Sequence, residues 1–295
     1  MTELEGLADR FEASRPRLRA VAYRMLGSAA EADDAVQEAW LHVSRAQATS
    51  IDNLNGWLTT VVARVCLDML RSRRSRREQP LETRGDPAEG ARPADSTGPE
   101  SEALLADSVG LAMLVVLDRL APAERVAFVL HDMFDLPFDE IAGITGRSPA
   151  AARQLASRAR RRVRGTPAPQ GAGLARQREL VSAFLAASRA GDFEALVAVL
   201  DPQVELHADP AAAPPHSPLV VTGATEVARR APAFRGRAPF ARLALVDGEV
   251  GIVVGPAGRL GAVLRFAFSA DRITGIDVVA DPERLGRLRL AVLEA

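Results

Sequence analysis

The chain has 295 residues, 47% of them apolar and 25% charged, and a formal net charge of −1. Such a length suggests two or three domains, each able to bury its own core. The near-neutral balance excludes a generally basic coat for nucleic acid, so an anionic partner has to be met by local patches.

All 37 basic residues are arginine, whose planar fork suits phosphates and guanine edges. The lone cysteine, Cys66, excludes an intramolecular disulfide and fits a reducing cytoplasm. It lies in "VVARVCLDML", an apolar helical run, where it reads as a small core residue. The start "MTELEGLADRFE" is acidic, unlike a signal peptide, and no uncharged apolar run reaches membrane-spanning length. His42, His131, His207 and His216 lack ligand spacing, so neither a metal site nor a cofactor is expected.

Residues 1–78 read as three helices. The first, "LADRFEASRPRLRAVAYRML", sets Leu7, Phe11, Leu18, Val21, Met25 and Leu26 near helical spacing. "AEADDAVQEAWLHVSR" follows Gly27 and Ser28, and "GWLTTVVARVCLDMLRSRRSRR" comes third. Glu31, Asp33, Asp34 and Glu38 put four acids within eight residues, with no base between them. That face repels DNA and suits a basic protein surface. The third helix ends in "RSRRSRR" (residues 71–77), so one domain offers a face to protein and another to nucleic acid. Residues 79–100 hold four prolines, three glycines and five acids against two arginines, the composition of an acidic flexible linker.

A second helical block covers residues 101–165. "LAPAERVAFVLHDMF" carries proline near its helix start, and "FDEIAGITG" sets Phe138, Ile141 and Ala142 on one side before stopping at Gly146. A short turn then leads into "SPAAARQLASRARRRVR", which completes a helix-turn-helix pattern. Ser148 is a good N-cap, and Pro149 suits the first helical position. Ala152, Leu155, Ala156, Ala159 and Val163 form one narrow apolar stripe. Gln154, Ser157 and Arg161 point the opposite way, flanked by Arg153, Arg158 and Arg164. A DNA major groove admits such a helix, where arginine reads guanine and glutamine reads adenine. The segment has six arginines and no acid, so duplex DNA is its expected partner.

Beyond "GTPAPQGAG" the pattern changes. One helix over about 174–200 is followed by the strand "QVELHAD", a proline-rich loop and a short helix near "TEVARRAPAF". Three alternating runs close the chain: "ARLALVDGEVGIVV", "GRLGAVLRFAFS" and "RITGIDVVA". They predict an α+β domain with a curved antiparallel sheet. His207 and Asp209 share one face of the first strand and are the candidates for a tail pocket or a general base.

These motifs together resemble a sigma factor of the extracytoplasmic-function (ECF) class. "EADDAVQEAWLHV" resembles the family's polymerase-binding helix, "GWLTTVVARVCLDMLRSRR" its −10 element helix, and residues 120–164 its −35 reading domain. The resemblance implies that Asp33, Asp34, Gln37 and Glu38 contact core RNA polymerase. It implies that the loop 46–55, with Asp52 and Asn53, holds an extruded base of the melted −10 strand. Trp57 is then either a stacking platform beside that base or a core residue, and Arg64 and Arg71 are backbone contacts. Arg153, Gln154, Ser157, Arg158 and Arg161 would read the −35 element.

The tail resembles the SnoaL-like cone of ketosteroid isomerases and polyketide cyclases, which one group of these sigma factors carries as a built-in regulator. "ADPERL" (residues 280–285) resembles that group's Asn-Pro-Asp-Lys-Leu motif. The group's Trp-Leu-Pro-Glu-Pro signature is replaced by "REQPLETRGDP", and its Asp-Gly-Gly-Gly-Lys stretch by "HADPAAAPPHSP". The expected architecture is two all-α sigma domains, 1–78 and 101–165, the second a helix-turn-helix, joined by the linker 79–100. A linker at 166–173 leads to a SnoaL-like α+β cone at 174–295 that contacts the sigma core. The expected function is promoter-specific initiation in the cytoplasm, without catalysis and without a cofactor. The alternative is a helix-turn-helix regulator with a ligand-sensing or enzymatic cone.

Overall fold

A computed structural model describes residues 3–45, 53–78, 110–165, 172–213, 219–234, 236–269 and 271–293. They fall into two compact units, one within residues 1–108 and 117–160, the other within 109–116 and 161–295.

The first unit opens with α1 (Glu3–Leu26), α2 (Ala29–Arg45) and α3 (Leu54–Glu78). Of the expected apolar positions of α1, Phe11, Leu18, Val21, Met25 and Leu26 are buried and Leu7 is half-buried; Val36 of α2 and Leu58 and Val62 of α3 are buried as well. Phe11 packs on Trp40 with ring centroids 4.9 Å apart. Ion pairs brace the outside of the bundle, Arg19 to Asp33 at 2.6 Å and Arg73 to Glu31. Arg73 also donates to the Leu26 carbonyl at 3.1 Å, so one arginine of the expected DNA-facing run serves as an internal strut.

The same unit continues with α5 (Pro122–Phe128), a π-helical turn (Val129–Met133), α6 (Phe138–Thr145) and the start of α7 (Pro149–Arg164). Gly146 ends α6 with φ 68°, a backbone that favours glycine, and Arg147 N donates to Ala142 O. Ser148 Oγ accepts from Ala151 N at 3.2 Å and caps α7. Helix α3 packs against both α5 and α6. Arg64 of α3 donates to the Gly143 carbonyl at 3.4 Å, and the Arg24 guanidinium sits 5.2 Å over the Phe134 ring.

Arg125 is 2% exposed and paired with Asp118 at 3.3 Å, while its Nε and Nη2 lack partners. Burial pushes its pKa down to about 10, although Asp118 opposes the shift. Burial also pushes the Cys66 thiol up to about 12, against the charges of Arg125 and Arg73. The thiolate is the nucleophile, and it is scarce below that value. We therefore expect Cys66 to resist iodoacetamide at pH 8 in the folded chain and to alkylate fully in denaturant. Rapid labelling of the native chain would contradict the burial.

The second unit gathers α4 (Leu111–Asp118) up to Val116, the end of α7, and the tail. The tail consists of α8 (Ala172–Ala190), α9 (Phe193–Val199), β1 (Leu200–Ala208), β2 (Leu219–Thr222), α10 (Ala224–Arg230), β3 (Ala241–Val246), β4 (Glu249–Val254), β5 (Ala262–Ser269), β6 (Arg272–Val279), α11 (Pro282–Arg287) and β7 (Leu290–Ala291). The seven strands form one open sheet in the order β2-β1-β6-β5-β4-β3-β7.

That sheet is mixed rather than wholly antiparallel, because β1 and β6 run parallel. They are joined by a long crossover through α10 and four strands, so no hairpin fixes their relative direction. The helix expected over 174–200 breaks at Gly191, φ 70°, and Asp192 restarts it by accepting from Ala195 N at 3.0 Å. The run over 241–254 is a hairpin: Asp247 and Gly248 both take positive φ, the requirement of a type I′ turn.

Alternation along the strands gives the sheet two apolar faces. One face, with Ile252, Leu264, Phe266 and Ile276, packs under Phe184, Leu185 and Leu196 of α8 and α9. The other face carries Ala244, Val246, Val253, Val263 and Val279, and Val115 of α4 packs there beside Leu285 of α11. Near the C-terminus, Val292 N donates to Val163 O at the end of α7, at 2.9 Å. By packing, α4 and the last turn of α7 therefore belong with the tail.

Candidate polymerase and nucleic-acid interfaces

Helix α7 seats its predicted stripe: Ala152, Leu155, Ala156, Ala159 and Val163 are buried, while Arg153, Gln154, Ser157, Arg158 and Arg161 are exposed. The exposed side chains differ in readiness. The Arg153 guanidinium lies 5.2 Å over the Phe138 ring, a cation–π contact that orients the fork without occupying its donors. Arg158 instead pairs with the buried carboxylate of Glu124 at 3.3 Å, and Arg160 pairs with Asp132. No acid within α7 offsets its arginines, but acids on α5 and the π-helical turn do. Arg158 must give up Glu124 to reach a base edge, and Arg153 need give up nothing comparable.

On α2, Asp34, Gln37 and Glu38 are exposed. Asp33 is held by Arg19, through bonds of 2.6 and 3.2 Å. Among the described residues Glu38 has His42 as its ion-pair partner, at 3.8 Å. Glu31, the fourth acid of the cluster, turns to Arg73 and leaves this face. Leu41, 47% exposed, follows Asp34 by seven residues and Glu38 by three, so it continues the same helical stripe. Charge counting missed it; the i+7 spacing from Asp34 was the available signal.

Of the expected −10 contacts, Asp52 lies outside the described residues. Asn53 is exposed, and its Oδ1 accepts from Gly56 N at 3.0 Å, which caps α3. A capping Asn keeps its amide N–H groups for other partners. Trp57 is half-buried, so part of its surface remains available beside Asn53. Arg71 is exposed and pairs with Asp68 at 3.4 Å. Arg64, although exposed, points one nitrogen at Gly143 of the helix-turn-helix.

In the tail, His207 and Asp209 do line one shallow hollow, about 420 Å³, with Asp277 and Arg284. Their chemistry differs from that of a general base and its partner. Asp209 accepts from Ala280 N at 2.9 Å, Asp281 N at 2.8 Å and Ala212 N at 3.0 Å, with Arg284 at 3.4 Å. Burial raises its pKa, but those backbone N–H groups and the arginine outweigh it and hold the carboxyl below its ordinary value. A carboxylate so stabilised is a poor base and a good clasp. The clasp ties β1 to the "ADPERL" segment, and His207 bonds only Glu205, at 3.2 Å.

The sign of the linkage follows from that lowered pKa. The clasp contributes stability above the ordinary aspartate range and loses it as pH falls through the lowered folded-state value. Asp209→Asn should therefore increase amide exchange across residues 280–288 at neutral pH, with little further change on acidification. Unaltered exchange would mean that the clasp does not hold the segment.

Residues 10–76 match the Sigma-70 region 2 family, and residues 111–163 match Sigma-70, region 4. The ECF RNA polymerase sigma factor SigJ of Mycobacterium tuberculosis is 42% identical over 277 residues, covering 91% of this chain and 86% of SigJ. The probable ECF RNA polymerase sigma factor SigI of the same species is 34% identical over 290 residues, covering 98% of each chain. The crystal structure of M. tuberculosis SigJ aligns with 95% of this chain and 98% of its own, at 35% identity and a TM-score of 0.45.

Proposed function

Because the chain belongs to the ECF RNA polymerase sigma factors, we propose that three helices carry its promoter-specific initiation. In this reading α2 docks core polymerase through Asp34, Gln37, Glu38 and Leu41, with Asp33 secondary because Arg19 already holds it. Helix α3 handles the −10 strand through Asn53, Trp57, Arg64 and Arg71, together with Asp52. Helix α7 reads the −35 duplex through Arg153, Gln154, Ser157, Arg158 and Arg161. The observation that carries the reading is the α2 face, where exposed carboxylates flank an exposed leucine. Retention on core polymerase, followed by run-off transcription from a cognate promoter, tests it. A folded chain that neither binds core nor initiates would end it.

The domains are proposed as 1–78, 101–165 and 174–295, with linkers at 79–100 and 166–173. The chain acts in the cytoplasm and performs no catalysis itself; among the described residues no helix is long and apolar enough to cross a membrane. The contact of Arg64 with Gly143 supports a closed free form, because α3 then faces α6 rather than a DNA strand. Binding to promoter and polymerase parts these helices. The tail regulates by holding α4 on its sheet through Val115. Deleting residues after Arg176 should change promoter-dependent transcription at least severalfold. It also bares Val115, so the truncated chain has to be shown folded; an unchanged rate from a folded truncation would exclude regulation by the tail.

The two arginines of α7 should respond unequally. Arg153→Ala should weaken −35 duplex binding by about 1–3 kcal/mol, with most of the loss on the cognate sequence. Arg158→Ala should cost less, because the free protein no longer has to break the pair with Glu124. Equal losses on cognate and random duplexes would mark Arg153 as a phosphate contact instead.

A further inference from the structure

The tail contains a further cavity, which His207 and Asp209 do not line. It encloses about 370 Å³ among α8, α9, α10 and the sheet, within the size range of small-molecule pockets. Its wall is apolar, formed by Phe184, Leu206, Leu264 and Ile276 among others. One polar side chain interrupts that wall. Ser188 lines the cavity and is 2% exposed. A hydroxyl in an otherwise apolar wall can pair with a ligand oxygen.

The charge at the edge of the cavity is one-sided. Arg229, Arg230 and Arg237 all line it and are exposed. Arg229 and Arg230 share a single carboxylate, Glu226, at 2.6 and 3.1 Å. Arg237 has no ion-pair partner among the described residues. Three guanidinium groups thus stand against one acid, beside an apolar chamber. No Asp, Glu, His or Cys lines the cavity, so it offers no side chain to act as general base or to activate the Ser188 hydroxyl. Its chemistry is that of binding.

We propose that this cavity binds an amphipathic organic carboxylate, its apolar body in the chamber and its head group on the arginines. Guanidinium forks match a carboxylate in geometry as well as charge, whereas a cationic head is repelled by them and a neutral head gains no charge pairing. The hollow at His207 and Asp209 is no competitor, because its carboxylate is spent on the backbone of residues 280–281.

The test is calorimetric titration of the full chain with decanoate, decan-1-ol and decyltrimethylammonium. These share one chain and differ in the head group. We expect decanoate to bind at least tenfold more tightly than the alcohol, and the ammonium not to saturate. Arg237→Gln should weaken decanoate at least fivefold and leave the alcohol unchanged. Ala228→Leu, which fills the chamber from α10, should weaken both. The head-group series on the unaltered chain stands even if that variant fails to fold. Equal affinity for acid and alcohol, binding of the ammonium, or no decanoate binding at millimolar concentration would each overturn the proposal.

Discussion

Reversal of Asp34 and Glu38 to arginine is expected to abolish retention on core RNA polymerase, a loss of at least a hundredfold. Both carboxylates are exposed and take no part in the bundle's bracing, which runs through Arg19–Asp33 and Arg73–Glu31. The variant should therefore fold normally while presenting like charge to a basic partner surface, a juxtaposition costing several kcal/mol. Leu41→Ser should cause a smaller loss that persists at high salt, because an apolar contact is not screened. If the double reversal still forms holoenzyme at the normal concentration, α2 is not the docking face. A retained effect of Leu41→Ser alone would then point to a neighbouring apolar contact.

The second large effect is expected from one methyl group. A Cβ built on Gly255 would lie 2.4 Å from Val115 Cγ2 and 3.0 Å from the Arg259 carbonyl. Gly255→Ala is therefore expected to displace Val115, and α4 with it, from the sheet, yet it alters no residue of the polymerase or DNA faces. We expect faster amide exchange in residues 111–116 and a severalfold change in promoter-dependent transcription, with core binding unchanged. Faster exchange at an unaltered transcription rate would separate the contact from regulation. Unaltered exchange would show that β4 rather than α4 yields to the methyl group.

Much of this was legible in the residues, and the gaps have physical causes. The stripe of α7 and the acids of α2 were readable because helical periodicity and charge are local properties of the chain. The pairing of Arg158 with Glu124 was not, because the partners are 34 positions apart and no spacing rule links them. The parallel β1–β6 pair was hidden for the same reason: strand direction across a long crossover is set by packing. Strands β2 and β7 have four and two residues, too few to display alternation. His207 and Asp209 line one hollow, but a sequence cannot show that three backbone N–H groups have taken the carboxylate. The cavity around Ser188 was not legible because its lining is gathered from helices, strands and loops spread over residues 184–278.

The proposed free form is closed, with α3 and the helix-turn-helix in one body, and it opens on polymerase. Spin labels at Arg17→Cys on α1 and Asp139→Cys on α6 report on that body directly, since both positions are exposed and the native Cys66 is buried. Double electron–electron resonance on the labelled chain, alone and with core polymerase, then measures the separation. The account predicts a single short distance in the free chain and a longer one in the holoenzyme. An unchanged distance on binding, or a broad long distribution in the free chain, would contradict it.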